Sequence, residues 1–250
     1  MHTPGVPRGW LFSSVGSPTR PTAPPATIEA VGGIAWLLVA GLVLAVAALS
    51  LVLGPAPSSQ AAYLESLAGH ATAADLTFGL FAAADVLLVP ALLGLYPALA
   101  GASKTATLIG SGLLGLWAVQ DLVLTEATSL ALVALARSYA AAGPDARPGV
   151  LMAAQYPLAV LPIATFLSYV VSSAGLALIG AAMLRSDFPR GVGLLALIAA
   201  GEGMVGGFYV FVPALSVLLL PSLVTFGLWA VVAGAGLLRR ARRPERPATR

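Results

Sequence analysis

The chain has 250 residues, 58% of them hydrophobic and 9% charged, with a mean hydropathy of +0.93. Soluble domains carry roughly 25% charged residues, so a water-soluble fold is excluded and lipid becomes the solvent for most of the chain. The net charge of +3 is no nucleic-acid footprint, because six of the 13 basic residues crowd into the C-terminal tail and the rest are scattered singly over segment ends and the N-terminal tail. With no cysteine, and with His2 and His70 far apart, no disulfide, thiolate chemistry, metal site or cofactor is expected.

Residues 1–27 hold Pro4, Pro7, Pro18, Pro21, Pro24 and Pro25 and no long apolar run. Trp10-Leu11-Phe12 is too short for a signal-peptide core. The reading is a disordered cytoplasmic tail, or a stretch upstream of the true start. A transmembrane domain follows over 28–240, with apolar segments at 30–53, 74–98, 105–136, 155–184, 191–212 and 215–238. Each exceeds the ~20 residues that cross hydrocarbon, and the third and fourth are long enough to tilt or protrude. The fold class is therefore all-α, a polytopic transmembrane helical bundle of six spanning helices, in contact with the lipid bilayer and with no nucleic-acid partner. In the 54–73 loop, Ser58 or Ser59 is a candidate N-cap for a short helix with Tyr63, Leu64 and Leu67 on one face, expected to lie on the outer leaflet. Pro213 and Pro221 bracket the break between the last two spans, and 241–250 forms a basic cytoplasmic tail.

Four acids fall inside spans, Asp85, Asp121, Glu126 and Glu202, and no Lys or Arg shares a span with them. An ionised acid at the bilayer centre costs ~2.5–3.5 kcal/mol. Each is thus expected to be neutral and hydrogen-bonded, or to face a wet cavity. Asp85, Asp121 with Gln120, and Glu202 lie near mid-span. Asp121, Thr125 and Thr128 share a helical stripe, as do Thr165, Ser168, Tyr169 and Ser172, which predicts a hydrogen-bonded seam between the third and fourth helices. On an α-helix Glu126 stands ~140° around from Asp121, so those two are not expected to form one paired site. The candidate intramembrane polar site is Asp85, Gln120, Asp121, Thr125, Ser168, Ser172 and Glu202.

Glu202 is expected to face the bundle interior and donate a hydrogen bond to a neighbouring backbone admitted by Gly201 and Gly203, with Gly203 and Gly207 as a GxxxG pair. Interruptions are expected in the second span, at Pro90 and Gly94, and in the fifth, at Gly201–Gly207, a pattern transporter sites favour. Arg239, Arg240, Arg242 and Arg243 form either a topological anchor or a site for anionic lipid headgroups. No GxSxG, HExxH, Walker or paired-glutamate protease motif is present, so no enzymatic activity is expected. The sequence leaves three readings. The first is a non-enzymatic membrane protein; the others are a small-solute or proton-coupled permease using the mid-span carboxylates, and an intramembrane enzyme.

Gly32-Gly33-Ile34-Ala35 opens the first span, Ala74-Asp75-Leu76 precedes an Asp-bearing second span, and Leu184-Arg185-Ser186-Asp187-Phe188-Pro189-Arg190-Gly191 links the fourth to the fifth. On these residues, over about 28–240, the chain resembles the bacterial membrane family called domain of unknown function 4386. The resemblance implies six helices and no assigned activity. The chain departs from it at Gln120-Asp121, where a basic-then-acidic pair would stand.

Orientation follows from the basic residues near span ends. With the N-terminus inside, Arg8, Arg20, Lys104, Arg185, Arg190 and the six C-terminal arginines are cytoplasmic, whereas only Arg137 and Arg147 lie outside. In a bacterial plasma membrane, reporter fusions at the C-terminus should therefore report cytoplasm and fusions within 54–73 should report the exterior; a C-terminus reporting the exterior would reverse the assignment.

Overall fold

A backbone in hydrocarbon must satisfy its own hydrogen bonds, which leaves helices as the form these apolar runs can take. The computed structural model describes residues 26–54, 57 and 59–242, and no strand occurs among them. Its helices are α1 (Ala26–Leu53), α2 (Gln60–Gly69), α3 (Ala71–Ala100), α4 (Lys104–Gln120), α5 (Ala127–Ala141), α6 (Arg147–Met183), α7 (Arg190–Gly207) and α8 (Leu219–Ala241). Among the described residues six helical stretches are long and apolar enough to cross a membrane: Thr27–Leu53, Ala71–Ala100, Lys104–Ala141, Arg147–Met183, Arg190–Val210 and Pro213–Ala241. They match the six expected spans. The expected N-terminal tail as far as residue 25, Ser58, and Arg243 with the tail beyond it lie outside the described residues.

Each span packs against its two neighbours in chain order, and α8 returns to α1, so the six close into a ring. Glycine sets how tightly. A methyl group on Gly32 of α1 would sit 2.5 Å from Cα of Gly94 on α3, and one on Gly33 would sit 2.9 Å from the carbonyl oxygen of Gly234 on α8. The same holds between α4 and α6, where Gly110 and Gly175 each face the other's carbonyl at 3.0 Å, and between α6 and α7 at Gly180 and Gly193. Gly203 and Gly207 extend the α6–α7 contact, meeting Ser173 and Tyr169. All of these seams lie within two triplets, α8–α1–α3 and α4–α6–α7. The α3–α4 and α7–α8 joins have no such backbone contact among the described glycines.

The main core joins all six spans around Trp36 and Trp229, whose rings meet edge-on at 4.8 Å. A second cluster sits at one end, where Leu64 and Leu67 of α2 are buried with Leu132, Val133 and Ala136 of α5. The apolar face of α2 therefore packs on protein instead of lying on the outer leaflet, because the overlong third span extends α5 beside it. Ser59 is its N-cap, accepting from the Ala62 amide at 3.2 Å. An ion pair between Arg137 of α5 and Asp75 of α3 closes the same end.

At the opposite end Arg240 of α8 lies 3.9 Å from Glu29 of α1 and 3.7 Å from Asp187 of the α6–α7 connection, with its guanidinium 5.7 Å from the centre of the Phe188 ring. Arg240 is thus committed to protein partners, and only Arg239 and Arg242 remain among the described C-terminal arginines as candidates for lipid headgroups. The interruptions expected at Pro90 and at Gly201–Gly207 do not occur: α3 runs through Pro90, and α7 stays helical to Gly207. Neighbouring helices and a lipid surround hold these backbones helical despite Pro and Gly.

Backbone contact at Gly32–Gly94 should tolerate nothing larger. Gly94→Val is expected to lower the thermal unfolding temperature in detergent sharply, by the equivalent of about 1–3 kcal/mol or more. Gly115→Ala, whose new methyl would meet nothing within 4 Å, is the matched control and should leave it unchanged or raise it.

Candidate functional site

Lys104–Ala141 is one continuous span but not one α-helix. Asp121–Glu126 forms a π-turn between α4 and α5. Such a turn accommodates an extra residue without breaking the backbone ladder and stacks residues five apart, where an α-helix stacks those three or four apart. The buried positions record the shift: Leu114 and Ala118 precede the turn, Asp121 and Glu126 open and close it, and Ser129, Leu132 and Ala136 follow. Asp121 and Glu126 consequently share one face and one cavity wall. The two thus line one cavity despite the ~140° separation that α-helical geometry predicts, although they do not pair: Asp121 Oδ1 accepts from Ser168 and Glu126 Oε2 has no partner. The turn also displaces Thr128 from the expected stripe, with Ser129 taking the buried position.

The seam between the third and fourth spans is present, carried by fewer groups than the two stripes suggest. The Ser168 hydroxyl donates to Asp121 Oδ1 at 2.8 Å, while Gln120 Nε2 donates to Ser168 Oγ at 3.3 Å and to the Ala164 carbonyl at 3.2 Å. Thr125 and Trp117 lie alongside Asp121. The hydroxyls of Thr165 and Ser172 turn back to carbonyls of their own helix, at Leu161 and Tyr169.

Two adjoining cavities open beside this seam. One, of about 70 Å³, lies on the bundle axis and takes a wall from every span: Val39 of α1, Asp85 of α3, Trp117 of α4, Tyr169 of α6, Gly203 of α7 and Phe226 of α8. The other, of about 160 Å³, holds Asp121, Thr125 and Glu126 opposite Thr165 and Ser168. Phe81, Trp117, Tyr169, Ser172 and Leu223 line both. Asp85 is 4% exposed and Glu126 2% exposed, yet Asp85 Oδ2 and Glu126 Oε2 have no hydrogen-bond partner, and neither has the Thr125 hydroxyl. Asp85, Asp121 and Glu126 lie within electrostatic reach of one another, and no Lys or Arg lines either cavity. The spacing does not suit a metal: among the described residues no three His, Asp or Glu side chains form a metal-holding group.

The structure therefore brings together Asp85, Gln120, Asp121, Thr125, Ser168 and Ser172 from the sequence-derived set, and adds Glu126, Phe81, Trp117 and Tyr169. Glu202 is not on either cavity wall. It is half-buried on α7, with Oε2 enclosed and unpartnered. Gly201 faces open space, and Gly203 meets the Ser173 hydroxyl and Tyr169 ring. The neighbouring backbone expected to accept from Glu202 is thus absent at these glycines, because side chains of α6 occupy that side. No protein-family model matches the chain, and no curated protein or solved structure is found to be similar to it.

The π-turn makes an unusual deletion prediction. Removing Val123, a lipid-facing residue of the turn, should let the segment close as an α-helix with Asp121 and Glu126 four apart and the downstream face unrotated. That variant should fold, with an unfolding temperature near wild type. Removing Leu116, equally exposed but in regular α4, rotates everything after it by about 100° and should abolish folding; equal outcomes for the two deletions would refute the role assigned to the turn.

Proposed function

We propose that the chain is a multi-pass carrier of a bacterial plasma membrane, with both termini cytoplasmic, that moves a small solute coupled to a proton held among Asp85, Asp121 and Glu126. The observation that carries this reading is the axial chamber to which all six spans contribute and which an unpartnered carboxyl lines. A bundle held together by packing alone gains nothing from an enclosed polar group with no partner, whose desolvation costs about 1–3 kcal/mol. A site that must bind and release a proton or solute needs such a group. The orientation draws support from the basic side chains: Lys104, Arg185, Arg190, Arg239 and Arg240 close helices at the end where α1 begins, against Arg137 and Arg147 at the other.

The titratable groups facing this space are Asp85 of α3, Asp121 and Glu126 of the π-turn, and Tyr169 of α6, with Tyr209 beyond Thr165. The walls from α1, α7 and α8 are apolar side chains and Gly203. Proton binding is thus decided among the carboxyls themselves, with no fixed cation to hold them ionised.

Two helix triplets supply the opposing walls. Asp85 and Phe226 come from α8–α1–α3; Trp117, Asp121, Glu126 and Tyr169 come from α4–α6–α7 and its continuation. Each end of the bundle carries an ion pair between the triplets, Arg137 with Asp75 and Arg240 with Asp187. Alternating access then requires parting the α3–α4 and α7–α8 joins at one end at a time, the rocking of two bundles about a fixed site.

The chain has no cysteine, so single-cysteine variants report without background. Ser172 lines both cavities. In Ser172→Cys a membrane-impermeant methanethiosulfonate should react from either side, in right-side-out and in inverted vesicles. Reaction from one side only, or from neither, would defeat the carrier reading, and the latter would favour a non-enzymatic packing role for the acids.

A further inference from the structure

We infer that the ligand of the axial chamber is a small organic cation, an amine or quaternary ammonium with apolar substituents, held by the charge of Asp85 and by the rings of Trp117, Tyr169 and Phe226. The inference deepens the carrier reading and rests on it only for passage of the ligand across the membrane; binding stands on the chamber itself.

The wall chemistry eliminates the other classes. An anion would find three carboxyls and no Lys or Arg. A bare metal ion would find no grouping of three ligands among the described residues. A sugar needs many donors and acceptors, and of the hydroxyls here Ser168 is spent on Asp121, Ser172 on the Tyr169 carbonyl and Thr165 on the Leu161 carbonyl, which leaves Thr125 as too few for it. A neutral apolar solute fits the walls but leaves Asp85 Oδ2, enclosed and unpartnered, as it is. An organic cation uses both features. Its charge answers the carboxylate, and its methyl or methylene groups lie against aromatic rings, which attract cations within about 6 Å of the ring centre. Chambers of about 70 and 160 Å³ that share Phe81, Trp117 and Tyr169 suit a compact head group and one short substituent.

The exchange balances in charge. The Asp85 carboxyl gives its proton to water as the cation takes its place, so one proton leaves for each cation bound and the site stays neutral. This route avoids placing a net charge in a low-dielectric interior, where an unpaired ion is costly. Glu126, buried in the adjoining cavity with Oε2 unpartnered, offers a second place for that proton on its way out.

The probe is tritiated phenyltrimethylammonium, added to the full chain in detergent micelles. Its neutral isostere is tert-butylbenzene, in which carbon replaces nitrogen. Saturable binding is expected, with acidification of a weakly buffered solution and no displacement by an equal concentration of tert-butylbenzene. Asp85→Asn should weaken binding at least about tenfold and abolish the acidification. Trp117→Leu should weaken binding and leave the acidification per bound cation intact, which keeps the test decisive if Asp85→Asn fails to fold. No saturable binding below about 1 mM, displacement by tert-butylbenzene, or undiminished binding in Asp85→Asn would overturn the inference. Two-sided reactivity of Ser172→Cys without phenyltrimethylammonium binding would sink the ligand class and keep the carrier; binding with one-sided reactivity would do the reverse.

Discussion

Backbone contact at glycine is the constraint on which the rest of this bundle depends. In lipid no hydrophobic force drives one apolar helix against another, so association comes from close packing and from what the approach of backbones permits. Gly32 against Gly94, Gly33 against Gly234, Gly110 against Gly175 and Gly180 against Gly193 are the places where that approach is closest. All four pairs fall inside the two triplets, and none spans the joins between them. The ring is thus two glycine-seamed blocks, α8–α1–α3 and α4–α6–α7, joined to each other by side-chain packing in the common core. The axial chamber lies between the blocks, so the glycines fix how its two walls are built.

The π-turn is the second determinant, and it converts a packing helix into one that carries a site. Without it, Glu126 would stand far around the helix from Asp121. With it, the extra residue is taken up in a single turn, and both acids reach the same cavity while α5 still presents Leu132, Val133 and Ala136 to α2. Polar satisfaction is uneven around this turn. Asp121 has Ser168 on one oxygen, and Ser168 is in turn held by Gln120. Asp85 and Glu126 each keep a free oxygen. The network therefore anchors Asp121 and leaves Asp85 and Glu126 each with an oxygen that no protein group satisfies.

Much of this was legible in the residues. Six spans follow from apolar run length, since the cost of burying polar backbone in lipid admits little else. The Asp121–Ser168 contact follows from two polar stripes at matching depth. What stayed hidden was whatever depends on departure from ideal helix geometry. Nothing in Asp121-Leu122-Val123-Leu124-Thr125-Glu126 announces a π-turn, so period arithmetic excluded Glu126. The aromatic walls Phe81 and Trp117 read as ordinary span residues, because periodicity does not tell a ring facing a cavity from one facing a neighbour; Tyr169 was visible only as a member of the polar stripe. Glu202 shows the opposite error. Its depth and its glycine neighbours pointed inward to the site, yet Tyr169 and Ser173 of α6 fill the side that Gly203 opens.

The two ends of the bundle extend the same logic. Arg137–Asp75 and Arg240–Asp187 join the blocks through exposed or partly exposed groups, with Asp187 89% exposed. Surface ion pairs contribute about 0–1 kcal/mol each and weaken further with salt. They are therefore suited to hold the blocks in register without locking them. Around each pair sits apolar packing of different extent: Phe188 against Gly236 at the Arg240 end, and the face of α2 against α5 at the other. Phe188 belongs to the main core with Met183, Val192 and Leu237, whereas Leu64 and Leu67 belong to the smaller cluster with Leu132, Val133 and Ala136. Separation at either end thus disturbs buried apolar packing as well as an ion pair. Each ion pair therefore sets register at its end, and the resistance of that end to separation comes from the apolar cluster behind it.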